Sequence, residues 1–138
     1  MRNIIAKGIR KSFSGKTVLA GVSFVLSEDK RLALVGENGS GKSTLLQIIT
    51  GNLKPDGGEV FGLNNGCAYI AQDFSGKDGE TPKEFLTRRV SSVNKAVQLL
   101  NQSGFDLGKN EERLNQVKCS SLSGGEKKKL EIVAGLAG

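Results

Sequence analysis

An eight-residue segment, GENGSGKS at positions 36–43, constrains the fold more than any other part of this sequence. It matches the pattern G-x-x-x-x-G-K-[ST], in which glycines let a loop wrap until successive backbone N–H groups converge on one point. Lys42 would supply an ammonium for the outer phosphates of a ligand, and Ser43 a hydroxyl for Mg²⁺. A continuously apolar run, Leu32 to Val35, precedes the segment and predicts a strand buried on both faces of a parallel sheet. The sequence therefore predicts a strand, a phosphate-binding loop and a helix in succession.

The pattern of the remaining residues divides the chain into a strand-rich part and a helical part, with no internal repeat. Apolar residues alternate from Val22 to Leu26, which is typical of a half-exposed strand. Further short strands are predicted near residues 4–9, 59–61 and 67–70. Two helices are predicted over 43–49 and 93–100, with stops at Gly51 and Gly104. Two more are predicted to begin at Thr81 and at Ser123. The helix from Ser123 is expected to bury Leu130, Val133, Ala134 and Ala137.

Composition excludes several kinds of chemistry. No histidine occurs among the 138 residues, so Ser-His-Asp and Cys-His catalysis and histidine-containing zinc sites are excluded. Cys67 and Cys119 are far apart and are interpreted as packing residues in a reducing compartment. No apolar run approaches the roughly 18 residues that cross a bilayer, and the amino end lacks a signal-peptide core, so a cytoplasmic location is expected. The net charge of +6 fits a phosphate-rich partner, and it fits simple solubility equally well.

The segment LSGGE at 122–126 is the second group of candidate residues. Ser123 and Glu126 form an S-x-x-E capping box, and Gly124 and Gly125 leave the helix N-terminus bare. A bare N-terminus beside a serine hydroxyl is a good anion site. The alternative interpretation is an ordinary capped helix.

Together with the 36–43 segment and Gln72, which follows the predicted strand at 67–70, LSGGE makes the sequence resemble the ATP-binding cassette (ABC) ATPases over essentially its whole length. The resemblance implies an α/β fold of the P-loop NTPase class, ABC ATPase type. Its β-rich nucleotide-binding half would be 1–72 and its helical subdomain 73–138. The implied cofactors are ATP and Mg²⁺, and the implied cofactor-binding residues are Phe13, Gly36, Asn38, Gly39, Ser40, Gly41, Lys42, Ser43 and Thr44.

The resemblance also assigns roles to these residues. Phe13 would stack on adenine, although it could equally be a core residue. Lys42 and Gln72 would be catalytic, and Ser43 and Gln72 would meet the Mg²⁺ ion. Gln72 would also report the nucleotide state to the helical half.

The signature residues Ser123, Gly124, Gly125 and Glu126 would act on ATP bound to a partner. In this family two domains pack head to tail, and each signature helix caps the γ-phosphate on the opposite phosphate-binding loop. The chain has one copy of each motif. A second ABC domain is therefore implied, in another chain or in the same longer chain.

Within the family, the segment LSGGEKKKL and the short span from Lys42 to Gln72 resemble the ABC-F group of translation factors. That resemblance implies the ribosome or its RNA as a partner. The alternative is the nucleotide-binding subunit of an ABC transporter, which would drive a membrane partner. No DNA partner is expected.

The family pattern also has parts that this sequence lacks. An apolar strand ending in Asp-Glu should follow the signature helix, and a loop histidine should come later; the sequence stops at Gly138. We expect an N-terminal fragment of a longer reading frame, incomplete at its carboxyl end before the Walker B strand. The intact protein would be an ATPase, whereas this chain alone would bind ATP with negligible turnover.

Two further interpretations compete with an ATPase. A GTPase is suggested by Asp73–Gly76, which fits D-x-x-G, but Asn94-Lys95 lacks the following aspartate that would read guanine. A non-enzymatic module would bind ATP or a partner domain without turnover.

Overall fold

The computed structural model describes residues 3–63, 66–104 and 111–138. They fall into two compact units, Met1–Tyr69 and Ile70–Gly138. Each unit has an apolar core made only of its own residues.

The described residues of the first unit form three strands and one helix. They are β1 Asn3–Phe13, β2 Lys16–Ser27, β3 Gly57–Phe61 and α1 Lys42–Ile49. The strands form an antiparallel sheet in the order β2-β1-β3, with Phe13 opposite Lys16 where β1 turns into β2. That turn passes through Ser14 and Gly15, whose φ angles are both positive, 47° and 80°, as tight hairpins of this kind require.

The apolar pattern of β2 and α1 builds the core of this unit. The predicted alternation is confirmed, since Val22, Phe24 and Leu26 are half-buried while Ser23 and Val25 are exposed. The predicted helix after the glycine-rich loop is also confirmed, and Gly51 follows its end with a φ of 77°. The buried residues are Ala6, Ile9, Leu19, Leu45 and Ile48.

The buried strand predicted at 32–35 is wrong. These residues form no strand and all four are exposed, Val35 to 90%. The strand predicted at 67–70 is likewise not found there. A strand of a parallel sheet is buried when neighbouring strands pair with it and helices cover both faces of the sheet. Within the described residues the sheet consists of β2, β1 and β3, and none of these strands pairs with the run 32–35.

The second unit is helical. Its elements are α2 Pro82–Arg89, α3 Val93–Gln102, α4 Glu111–Gln116 and α5 Gly124–Ala137, with a 3₁₀ turn at Cys119–Ser121. Helix α2 begins at the predicted capping box, in which Thr81 Oγ1 accepts from the Glu84 N–H at 3.3 Å and the Glu84 carboxylate accepts from the Thr81 N–H at 2.8 Å. Helix α3 ends before Gly104, as predicted. The sequence does not predict α4, because its single apolar residue, Leu114, shows no period.

The core of the second unit lies among its helices and the 3₁₀ turn. The four residues predicted to face the core from α5 are all buried, which confirms that prediction. The ring of Phe85, fully buried, stacks on Phe74 with centroids 5.0 Å apart. The other buried residues are Leu86, Ala96, Leu100, Leu114, Cys119 and Leu122. None of the helices within the described residues is long and apolar enough to span a membrane.

Candidate functional site

The loop before α1 has the conformation that its glycines allow. Gly39 and Gly41 have φ angles of 82° and 95°, and the Ser40 N–H donates to the Glu37 carbonyl at 3.2 Å. A Cβ atom on Gly41 would lie 2.8 Å from Val18 Cγ1 of β2. Glycine is therefore required at position 41 for two reasons, a left-handed φ and a close approach to the sheet.

The side chain of Lys42 folds back over this loop. Its Nζ donates to the carbonyl oxygens of Gly36 at 2.5 Å and Glu37 at 2.6 Å, and lies 3.4 Å from Ser40 Oγ. The ammonium thus has three acceptors, all from the loop. Because the ammonium lies inside the loop, it could donate to a phosphate oxygen of a bound ligand instead of to one of these carbonyls.

The N-terminus of α1 has no side chain that competes with an anion. Gly41 precedes it without a side-chain cap, and the first turn of α1, all of it described, holds no acidic residue. Its unpaired N–H groups carry the positive end of the helix dipole. Ser43 is exposed at this end and Thr44 is half-buried, while Asn38 is exposed on the loop. These features together suit a phosphate group.

Phe13 lies in the same unit as the loop, at the end of β1. Its side chain is 45% exposed, so it is not a core residue. Lys11 Nζ lies 5.4 Å from the ring centroid and 2.9 Å from Asp56 Oδ1, and Asp56 Oδ2 accepts from the Ser12 N–H at 2.7 Å. The hydrogen bond from Lys11, followed by the one from Ser12, lowers the pKa of Asp56. These contacts hold the strand end that presents Phe13.

The signature segment caps α5. Ser123 Oγ accepts from the Glu126 N–H at 3.2 Å, and Glu126 Oε2 accepts from the Ser123 N–H at 2.9 Å. The Ser123 N–H and the nearby Arg113, whose Nη2 lies 3.3 Å from Glu126 Oε1, lower the pKa of Glu126. Gly124 and Gly125 are exposed and add no side chain to this end. The predicted capping box and bare helix start are both found.

Gln72 lies in the second unit, with the signature. Its side chain is exposed, and its carbonyl oxygen accepts from Lys128 Nζ on α5 at 3.0 Å. Gln72, Gly124 and Lys128 also line one cavity of about 180 Å³, whose remaining walls are Asp73, Phe74, Lys127 and Glu131. The structure therefore brings together two groups that the sequence predicted separately, Gln72 and the signature. The loop residues 36–44 and Phe13 belong to the first unit.

Sequence reasoning missed Lys128 and Glu131. No local sequence pattern indicates that Lys128 donates hydrogen bonds to two main-chain carbonyls. Glu131 is only 2% exposed, and its Oε1 accepts from the Ser75 N–H at 2.6 Å. A carboxylate next to Leu130 on the buried face of a helix indicates that a hydrogen-bond or ion-pair partner must be present. The sequence does not identify that partner.

Glu80, a second carboxylate of this unit, is expected to make the stability of the unit depend on pH. Glu80 is held by Arg88, whose Nε lies 2.9 Å from Oε1 and whose Nη2 lies 3.0 Å from Oε2, and this hydrogen bonding lowers the pKa of Glu80. Because the pKa of Glu80 is lower in the folded than in the unfolded chain, the ionised carboxylate stabilises the fold. This contribution to the free energy of unfolding is complete above the unfolded-chain pKa of about 4.3, and it is lost as the pH falls below that value. We expect Glu80→Gln to be less stable than the wild type at pH 7, and the gap to narrow by pH 3, in urea unfolding. A gap that stays constant with pH would contradict this.

Comparisons with known proteins agree on one family. The family model described as ABC transporter matches residues 19–138. ABC transporter F family member 5 of Arabidopsis thaliana is 35% identical over 67% of this chain, and the hemin import ATP-binding protein of Thermobifida fusca is 32% identical over 96% of it. The solved ATP-binding subunit of an ABC transporter superposes with a TM-score of 0.75 and 25% identity over 97% of this chain.

The chain is shorter than each of these proteins. It spans 15% of the Arabidopsis protein, 52% of the Thermobifida protein and 61% of the solved subunit. The family model nevertheless covers the loop, Gln72 and the signature, and the structural match covers nearly every residue. The chain therefore belongs to the ABC transporter family and has the P-loop NTPase fold of its ATP-binding domains.

Proposed function

We propose that the chain binds ATP with Mg²⁺ at the loop 36–43. The observation that carries this proposal is the Lys42 ammonium held inside the loop, at a helix N-terminus without an acidic or capping side chain. The ammonium and the helix N-terminus both favour a negatively charged ligand, and the glycines leave room for a phosphate to approach the backbone. The triphosphate would lie against the α1 N-terminus, with Lys42 at its outer phosphates. The proposal places the domain in the cytoplasm, where ATP is available.

The residues present also fit a magnesium ion carried by the nucleotide. Mg²⁺ usually keeps several waters and is bound by one or two protein oxygens plus substrate phosphates. Ser43 offers an exposed hydroxyl at the start of α1. In this proposal Ser43 orients the ion, and the charge of the ion offsets that of the phosphates.

Phe13 is proposed as the stacking surface for adenine. We expect Phe13→Ala to weaken ATP binding about tenfold, since base–aromatic stacking contributes about 1–3 kcal/mol. Phe61→Ala is the matched control, because Phe61 is an equally exposed phenylalanine of the same sheet that has no proposed role. Titration calorimetry with ATP and Mg²⁺ would measure both. If Phe13→Ala and Phe61→Ala lost the same affinity for ATP, Phe13 would not be the stacking surface.

For the whole protein we propose ATP hydrolysis by a pair of ABC domains. Ser123, Gly124, Gly125 and Glu126 would meet the ATP held by the second domain, and Gln72 would act at the ATP of its own chain. The exposed glycines at the start of α5 support this, since they leave its N–H groups open to a phosphate. The second domain would come from the same longer chain or from another one.

The proposed role of the whole protein is that of an ABC-F factor acting on the ribosome. Two Arabidopsis relatives, ABC transporter F family members 5 and 2, support the ABC-F assignment at 35% and 34% identity, as does the segment LSGGEKKKL. The second candidate is a transporter subunit with a membrane partner, favoured by the hemin import relative, which aligns over 96% of the chain. Sedimentation of the intact protein with ribosomes or with membranes would discriminate between them.

The test of nucleotide binding is a calorimetric titration of the folded chain with ATP and Mg²⁺, followed by competition with GTP. We expect saturable heat with ATP and weaker competition by GTP. Absence of heat from folded protein would refute the proposal. Stronger competition by GTP would favour a guanine nucleotide instead.

A further inference from the structure

We propose that Lys128 and Glu131 are positioning residues that fix the segment 71–75, and with it Gln72, to the helix that begins at Ser123. The role given to Gln72 rests on the proposed function. The contacts themselves lie within the second unit and do not depend on it.

Lys128 holds the first part of the segment. Its Nζ donates to the carbonyl oxygens of Ala71 at 2.7 Å and Gln72 at 3.0 Å. Hydrogen bonds from an ammonium are about twice as strong as bonds between neutral groups. Both acceptors are main-chain atoms, so the Gln72 side chain stays free of this contact and is exposed.

Glu131 holds the other end of the segment. Its Oε1 accepts from the Ser75 N–H at 2.6 Å, and its Oε2 lies 3.5 Å from Arg89 Nη2. Arg89 in turn donates to Ser75 Oγ at 2.5 Å. Because Glu131 is only 2% exposed, losing these partners would leave its carboxylate buried without compensation.

The two contacts have opposite polarity and act on opposite ends of one short segment. Lys128 and Glu131 are three residues apart on α5 and therefore lie on the same face of the helix. Between the held ends, Phe74 inserts its ring and stacks on Phe85 of α2. The segment cannot slide along α5 without breaking a bond at each end, so it moves with the helix.

This arrangement links Gln72 to the signature. Lys128 lies five residues after Ser123, about 7.5 Å along a helix that rises 1.5 Å per residue. A helix is stiff over that distance, and both contacts belong to the same unit. A displacement of the α5 start by ATP on the partner domain would therefore move the Gln72 backbone. The two ATP sites of a pair would be coupled through Lys128.

Hydrogen exchange on this chain tests the inference. In Lys128→Met, the amides of residues 72–76 should exchange about tenfold faster, while those of α2, α3 and α5 keep their protection. Lys128→Arg should restore slow exchange, because arginine can also donate to two carbonyls. Lys95→Met is the matched control: it removes the same charge from an exposed position of the same unit, on α3, and should exchange like the wild type.

Two results would overturn the proposal. One is unchanged exchange over 72–76 in Lys128→Met. The other is a uniform rise across the whole second unit, which would mean that Lys128 only stabilises the fold. If Lys128→Met fails to fold, Glu131→Gln replaces it: the amide keeps an acceptor for Ser75 but loses the charge, so a smaller rise centred on residue 75 is expected, and no rise refutes the contact.

The same samples separate this inference from the proposed function. Calorimetry with ATP and Mg²⁺ reports the loop of the first unit, and exchange over 72–76 reports the contacts of the second. Wild-type protein that binds no ATP refutes the proposed function. Unchanged exchange in Lys128→Met refutes the positioning role, whether or not ATP binds.

Discussion

Replacing Lys42 by alanine is expected to lower the affinity for ATP with Mg²⁺ by about 100-fold, since hydrogen bonds to charged groups contribute about 1.5–3 kcal/mol each. Two effects add. The ammonium is lost as a donor to the outer phosphates, and the loop loses the bonds from Nζ to the Gly36 and Glu37 carbonyls that hold its shape. A loop that must be ordered by the ligand binds it more weakly.

Lys54→Ala is the matched control for this variant. Lys54 is an exposed lysine of the same unit, and its loss lowers the net charge by the same amount. We expect calorimetry to give a near wild-type dissociation constant for Lys54→Ala. An affinity of Lys42→Ala within threefold of the control would show that the phosphates do not lie at this loop, provided both variants melt like the wild type.

The local conformations that the sequence predicts correctly are those set by neighbouring residues. The conformation of the 36–43 loop follows from glycines at 39 and 41, whose positive φ angles few other residues adopt. The starts of α2 and α5 follow from Thr81 and Ser123, each of which bonds a residue three positions later. In each case the physical cause lies within one turn of the chain.

The failures concern partners that are distant in sequence. The run 32–35 has the composition of a buried strand, but burial depends on strands elsewhere that pair with it. Lys128 and Ala71 are 57 residues apart, and Glu131 and Ser75 are 56 apart, so no local pattern joins them. The same holds for Phe13: its sequence position is compatible with the core and with a ligand, and only its exposure in the sheet excludes the core.

The largest effect on stability is expected for Phe85→Ala. Phe85 is fully buried, stacks on Phe74, and has the guanidinium carbons of Arg88 and Arg89 each 5.4 Å from its ring centroid. Truncating a buried phenylalanine to alanine costs about 3–5 kcal/mol through lost burial and the cavity that remains. Whole domains have only about 5–15 kcal/mol of stability, and a small unit such as Ile70–Gly138 lies at the low end.

We therefore expect the second unit of Phe85→Ala to be largely unfolded at 37 °C, with urea unfolding followed by circular dichroism as the measurement. Leu136→Ala is the control, because Leu136 is 64% exposed on α5 and its truncation should change stability by less than about 0.5 kcal/mol. The loss should also reach the segment 71–75, since the Phe74 ring has Phe85 as its stacking partner. A free energy of unfolding of Phe85→Ala within about 1 kcal/mol of the wild-type value would contradict this, because the truncation is expected to cost at least about 3 kcal/mol.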